Sequence, residues 1–414
     1  MVSLLLNPAQ IITVDTKGKN YKSGKEMHDI NALTDHSIIF ENEIIKDIIP
    51  NSSVNQNKYD SVLGIKDKVV LPGLVECHTH TAFAGSRADE FRQRLKGVNY
   101  EEISKAGGGI NTTVTAVRNY SFEELVKIIK PRIDNFISQG VATLEIKSGY
   151  GLDFENEIKL LKVINYLNEI YPIDIISTFL GAHTFPIQFK ENHKEYLNIL
   201  IKRMLPYVAE NNLSCFCDGF CESTAFSSEE IDLIFSEASR LGFKTRLHTN
   251  QFNSIGGIET ALKHKSLSVD HLEVINNDEI EMISNDDIAA VLLPGASFFL
   301  DYRYAPARKL IDRGAVAALS TDYNPGTSNI SSINFIMSLA SIKMKLTIEE
   351  TISAVTINSA KALGVNRFTG SLEVGKRADF AVFNTSDYSE IVYNIGTNLN
   401  SVTIKNGKVI YKAE

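Results

Sequence analysis

Two histidines separated by one residue, in Cys77-His78-Thr79-His80, are the most chemically loaded feature of this 414-residue chain. On an extended backbone, side chains at i and i+2 point to the same side, so both imidazoles can reach one ion. Two further residues of ligand type, His248 and Asp322, close the short apolar runs FKTRLH and AVAALSTD. Three neutral imidazoles and one carboxylate suit a single divalent Zn or Fe ion and leave a position for water. Such an ion lowers the pKa of its water towards about 7, so the chemistry implied is metal-assisted hydrolysis at neutral pH.

Residues this far apart in sequence need a scaffold that returns them to one rim. Eight apolar, β-branched runs recur along the chain, at 69–77, 141–147, 174–182, 213–220, 243–248, 267–271, 289–295 and 315–320. Helix-like segments separate them. Ser121 with Glu124, Ser227 with Glu230 and Thr347 with Glu350 have the spacing of a capping box, in which each side chain satisfies an otherwise orphan backbone N–H. Strands alternating with helices imply parallel pairing, and eight such units predict an α/β fold, a closed (β/α)8 TIM barrel over residues 69–365. The chain exceeds the roughly 250 residues that such a barrel needs. A barrel carries its active site at the C-terminal ends of its strands, where the four candidate ligands fall. His271 and His183 also end runs, and His271 is read as a proton-transfer residue. His28, His36, His193 and His264 lie in polar or helical stretches and read as ordinary surface residues.

The two ends differ from the middle. Residues 1–68 and 366–414 hold short strand-like pieces, among them HSIIFENEIIKDIIP and SVTIKNGKVIYKA, with Asn406-Gly407 as a hairpin signal. Each half is small for a core of its own, which predicts one small β-sandwich assembled from both termini. A net charge of −8 argues against nonspecific nucleic-acid binding, which needs a basic surface. No apolar stretch approaches the roughly 18 residues of a membrane span, and MVSLLLNPAQ lacks the charged start of a secretory leader, so a cytoplasmic location is expected. Cys215, Cys217 and Cys221 lack the spacing of a structural zinc site and are expected to be buried, reduced thiols.

LPGLVECHTHTAFAG, the run-ending His248 and Asp322, and the tail GSLEVGKRADFAVF resemble the amidohydrolase superfamily across almost the whole chain. That resemblance implies a metal-bearing barrel flanked by a small β-sandwich. More narrowly, CHTHTAFAGSRADEF, AGGGI, EIKSGYGL, FLGAHTFP and STDYNPGTS together resemble the imidazolonepropionase family. The implied reaction is hydrolysis of 4-imidazolone-5-propanoate, a small-molecule substrate, to N-formimidoyl-L-glutamate, and the implied assembly is a homodimer. The resemblance also implies that His78, His80, His248 and Asp322 hold the metal. It places Arg87, Tyr150, His183 and Gln251 at the substrate, with Asn324, Gly326 and Thr327 closing the pocket. An arginine can hold a propanoate with two parallel hydrogen bonds. Tyr150 between glycines is expected as an exposed phenol on a loop, and the Asn324-Pro325-Gly326 turn is expected to present backbone N–H groups inward. Gln251 stands where some superfamily relatives carry a proton-shuttling glutamate. It cannot titrate, so deamination is disfavoured; proton transfer falls to Asp322 and His271, with Gln251 hydrogen-bonding the ring. Another cyclic-amide hydrolase or aminohydrolase is the nearer alternative. A noncatalytic binding protein on the same barrel is the distant one, and the intact ligand set counts against it.

Overall fold

The computed structural model describes residues 1–98 and 108–413. Of the AGGGI segment, Ala106 and Gly107 lie outside the described residues.

Period-2 patterning explains the barrel strands. In β2 (Val141–Lys147), Leu144 and Ile146 join the main apolar core, while Glu145 and Lys147 face the opposite way and meet Asp218 and Arg246. The other seven strands are β1 (Leu74–Glu76), β3 (Asp174–Ala182), β4 (Phe216–Cys221), β5 (Lys244–Thr249), β6 (Ser268–His271), β7 (Ala289–Leu292) and β8 (Val316–Leu319). All eight pair in chain order, and every pairing is parallel. β1 and β8 meet through a looser seam. His80 donates its backbone N–H to the Tyr323 carbonyl (3.0 Å), beside an isolated parallel bridge between Thr79 and Tyr323. Below that bridge the buried Glu76 carboxyl accepts the backbone N–H groups of both His78 and Thr321. Burial pushes that carboxyl up to about 8.

The three capping boxes expected from sequence are present, at the starts of Phe122–Ser138, Ser228–Arg240 and Ile348–Ser353. The helix beginning at Ile348 is not regular throughout: it passes through a π-type segment at Ala354–Asn358 before its last turn.

Two further sheets come from the chain ends. Ile44–Pro50, His36–Glu41, Val2–Leu6 and Ser61–Gly64 form one of four strands. Lys408–Lys412, Asn400–Lys405, Phe380–Phe383, Val69–Pro72, Gln10–Ile12 and Ala32–Leu33 form the other, in that order, with the Asn406-Gly407 turn joining its first two strands. Leu5, Ile38, Phe40, Val70, Phe380 and Val382 share the apolar layer between these sheets. The alternate residues Leu71, Ala381 and Phe383 belong to the barrel's core, so the six-stranded sheet is apolar on both faces.

Three expectations need correction. The run 69–77 is not one strand. It breaks at Gly73, where a Cβ would come within 2.6 Å of the Ala142 Cβ, so Val69–Pro72 belongs to the terminal sheet and only Leu74–Glu76 to the barrel. The run 289–295 ends at Leu292, and Pro294 instead opens a helix, Pro294–Leu300. Cys215 precedes β4 and is exposed, whereas Cys217 and Cys221 are buried as expected; all are free thiols. Among the described residues, no helix is long and apolar enough to cross a membrane.

Ser227 accepts the backbone N–H of Glu230, whose carboxylate in turn accepts that of Ser227. Ser227→Ala should therefore lower stability by about 1 kcal/mol. Urea unfolding would register this as a lower midpoint at unchanged slope, and an unchanged midpoint would contradict the cap's contribution.

Candidate active site

His78 and His80 follow β1, His248 lies within β5, and Asp322 follows β8, so the seam and the barrel's upper rim bring them together. The Asp322 Oδ1 lies 3.6 Å from His78 Nε2 and 3.5 Å from His80 Nε2. His248 Nε2 lies 3.4 Å from His80 Nε2. His78, His80 and Asp322 thus offer ligand atoms within 4.8 Å of one another, as do His78, His248 and His271. His271 therefore stands at ligand distance from two of the expected metal histidines.

Ring orientations are set from behind. His78 Nδ1 donates to Asp270 (2.6 Å), and His248 Nδ1 donates to Asp218 (3.0 Å). With the proton on Nδ1, each Nε2 turns a lone pair towards the centre. His78 Nε2 is buried and has no hydrogen-bond partner among the described residues. A bare ring nitrogen facing a carboxylate oxygen in a dry site is costly unless a cation stands between them, so these residues fit a divalent ion. Without an ion, burial and the nearby Lys147 hold both His78 and His80 well below the usual imidazole range. Burial takes His248 down to about 4 despite Asp218, and pushes the Asp322 carboxyl up to about 7, opposed by His271.

Behind the histidines lies a set of charged residues that the sequence reading missed. Glu145, Lys147, Asp218, Arg246 and Asp270 are all fully buried. They sit at alternate positions of β2, β4, β5 and β6, and that inward alternation inside runs read as apolar was the available signal. Glu273 was missed as well. It accepts from His271 Nδ1 (3.4 Å) and from Ser297 (3.5 Å). Burial, the largest single influence, lowers the His271 pKa, but Glu273, Asp322 and Asp270 together outweigh it and the pKa is raised. His271 and Leu272 both hold positive φ (89° and 71°), as does Asp322 (52°); such strain in non-glycine residues concentrates at working sites.

The expected substrate residues surround this centre, with three departures. Tyr150 is 3% exposed rather than an open phenol, its ring centroid 5.8 Å from His80 and 5.4 Å from His183. His183 stacks on His80 at 5.0 Å, and its Nδ1 donates to the Gly149 carbonyl (2.9 Å). Arg87 does form the ion pair that SRADEF allows, but the pair is buried. Its Nε and Nη2 reach the same oxygen of Glu90 (2.8 and 2.7 Å), and its side chain is only 7% exposed. The other Glu90 oxygen accepts from Gly109 N–H and Thr112, fixing the guanidinium to a neighbouring helix. The Asn324 turn does not present its N–H groups inward. Asn324 Oδ1 accepts those of Gly326 and Thr327 itself, while its Nδ2 donates to the Asp322 carbonyl and to Thr327 Oγ1. The turn thereby positions Asp322. A Cβ on Gly326 would fall 1.8 Å from Arg87 Nη1, so this glycine is the seat of the guanidinium. Gln251 is buried in the loop after β5, and its amide makes no hydrogen bond among the described residues. That loop is held by Glu222, which accepts from the backbone N–H groups of Phe252 and Asn253. His264, expected at the surface, is a further correction. Its side chain is largely buried against Phe235 and donates to Asp232 (2.7 Å).

Residues 219–410 match the model of the Amidohydrolase family. An imidazolonepropionase of Flavobacterium johnsoniae is 40% identical, over 99% of this chain and 100% of that one. The imidazolonepropionase of Alkaliphilus oremlandii is 41% identical, over 98% of this chain and 96% of its own. The chain belongs to the imidazolonepropionase family. Among solved structures, a triazine hydrolase variant superposes with a TM-score of 0.75 at 14% identity, covering 99% of this chain and 95% of that one. An adenosine deaminase from Xanthomonas campestris with bound zinc gives 0.70 at 16%, covering 98% and 92%. Both bear out the TIM-barrel fold with its appended β domain.

Burial takes the His183 pKa down to about 4, against 6.5 for a free imidazole. In metal-free protein the ring should therefore stay neutral as pH falls from 6.5 and take its proton only near pH 4. An NMR titration of the imidazole resonances measures this, and a midpoint near 6.5 would contradict the dry environment.

Proposed function

We propose that this chain hydrolyses the ring C–N bond of 4-imidazolone-5-propanoate, giving N-formimidoyl-L-glutamate in the breakdown of histidine in the cytoplasm. The observation that carries the reading is the seating of Arg87 on Gly326, four residues beyond Asp322. It puts a guanidinium, the best side chain for a carboxylate, close to the candidate hydrolytic centre, where it suits a substrate with a carboxylate tail. The likeness to imidazolonepropionases over nearly the full chain supports the same substrate.

His78, His80, His248 and Asp322 are the residues that would hold the ion, and their donor set suits Zn²⁺ and Fe²⁺ alike. Bound there, a divalent ion would polarise the ring carbonyl and acidify water. The chain's own groups do the rest. Arg87 grips the propanoate, held in place by Glu90. Tyr150 and His183 wall the ring, and Gln251 offers an amide that can hydrogen-bond it without exchanging protons. Asp322 takes the proton of the attacking water as the new C–O bond forms. His271, whose pKa the neighbouring carboxylates of Glu273, Asp322 and Asp270 raise against the effect of burial, donates to the oxyanion that develops on the former carbonyl. As the C–N bond breaks, Asp322 returns its proton to the departing ring nitrogen, leaving a carboxylate and the formimidoyl group. An aminohydrolase would release ammonia, and Gln251 in place of a titrating glutamate disfavours it.

The purified protein should consume enzymatically generated imidazolonepropanoate, lose that activity to a chelator, and yield N-formimidoyl-glutamate rather than ammonia. Absence of turnover in metal-replete protein would overturn the assignment. His271→Ala should lower kcat by about 10²–10⁴-fold with metal content unchanged, and near-normal turnover would remove His271 from the mechanism. Gly326→Ala should displace the Arg87 guanidinium and raise KM by roughly 10–100-fold, the worth of a charged hydrogen-bonded contact, with little change in kcat.

A further inference from the structure

Three of the candidate ligands are approached from behind by separate chains of hydrogen bonds and ion-pair contacts, and all of these chains begin at one side chain. The Glu145 Oε2 accepts the backbone N–H of Thr79, the residue between His78 and His80 (3.0 Å). Thr79 also donates its hydroxyl to the Glu145 carbonyl (2.7 Å), so the middle of the His-Thr-His segment is clamped twice to β2. The Glu145 Oε1 meets Lys147 Nζ (2.8 Å), which donates on to Asp218 (2.9 Å), the acceptor for His248. The same Oε1 lies 3.5 Å from Arg246 Nη1. Arg246 in turn donates through Nη2 to Asp270 (2.9 Å), the acceptor for His78.

Two properties make this more than a buried ion cluster. Geometrically, Glu145 is the one member that touches both cations and the His-Thr-His backbone, so its displacement would move ligands on β1 and β5 together. Electrostatically, three carboxylates and two cations leave one net negative charge beside a site that must attract a dication, all of it out of water. Without the Glu145 charge, Lys147 and Arg246 would be balanced by Asp218 and Asp270 alone, and the set beside the site would be neutral instead of negative.

We propose that Glu145 is the positioning residue that sets the metal affinity of this site, acting on His78 and His80 through Thr79 and Arg246–Asp270, and on His248 through Lys147–Asp218. The inference rests on the reading of His78, His80, His248 and Asp322 as metal ligands. Glu145 itself touches no substrate.

The test measures Zn²⁺ dissociation from the full-length holoprotein by competition with a chromophoric chelator, a readout independent of turnover. Glu145→Gln should weaken binding by about 10–100-fold, the usual effect of removing a group that orients a ligand. Asp270→Asn should do likewise. The double variant should be weaker than either by much less than the product of the two factors, because both act along one chain. Glu157→Gln is the control. It alters another fully buried carboxylate, one that holds the backbone N–H groups of Gly149, Gly151 and Leu152, and should leave Zn²⁺ affinity unchanged. Wild-type affinity in Glu145→Gln, fully multiplicative effects, or an equal loss in the control would each overturn the inference while leaving the metal site standing. A wild-type chain that takes up no Zn²⁺ would overturn the metal site and the inference with it. Should Glu145→Gln not fold, Arg246→Lys keeps the buried charge but cannot span Glu145 and Asp270 together. Weakened binding is expected there, and unchanged binding overturns the inference.

Discussion

Five charged side chains with no access to water occupy the barrel interior just beneath the candidate centre, and they can stay there only as a set. Moving a single ion into a dry interior costs several kcal/mol even after relaxation. Each of these residues therefore needs an opposite charge and hydrogen bonds at once, and within the set only Arg246 Nη1 and Asp270 Oδ1 lack a hydrogen-bond partner among the described residues. That requirement fixes the relative height of β2, β4, β5 and β6, because Glu145, Lys147, Asp218, Arg246 and Asp270 must lie level for their atoms to meet. The histidine rings inherit their orientation from the same lattice. An apolar interior of the usual branched residues could pack as well and be no less stable, but it would supply no acceptor for an imidazole Nδ1–H, and the site would be given up.

The seam between β1 and β8 carries the complementary burden. A regular ladder there would place backbone hydrogen bonds where the ligand loops must diverge. Instead Glu76 satisfies the N–H groups of His78 and Thr321, and a single bridge at Thr79 and Tyr323 completes the closure. The chain is then free to turn sharply at Asp322, whose positive φ is stabilised by the Asn324 side chain on its carbonyl. His78, His80 and Asp322 approach one another across the place where the barrel is least regular.

How much of this could be read beforehand depended on whether a residue's type betrays its setting. The clustering of the candidate ligands was legible because histidines and an aspartate at the ends of apolar runs all fall at one rim of a barrel, and the capping boxes were legible because their spacing is their mechanism. The break at Gly73 was not, since apolar residues continue on both sides and only the close approach of Ala142 reveals the change of sheet. Tyr150 misled because flanking glycines indicate a turn but say nothing about what packs over it. The interior charges misled in the opposite direction. Glu145 and Lys147 lie inside a run read as apolar, and only the barrel's closure shows that their neighbours are Asp218 and Arg246 from strands far along the chain.

The strand Val69–Pro72 runs directly into β1, and its neighbours in the terminal sheet are Gln10–Ile12 on one side and Phe380–Phe383 on the other. During synthesis from the N-terminus, the first of those neighbours is available at once, but the second emerges only after all eight barrel strands have been made. The segment bearing His78 and His80 is thus anchored to a strand that leaves the ribosome only after the whole barrel. A nascent barrel can collapse before then, but the strand that leads into β1 stays tethered on one side only, and the geometry of the candidate centre is completed only when Phe380–Phe383 arrives.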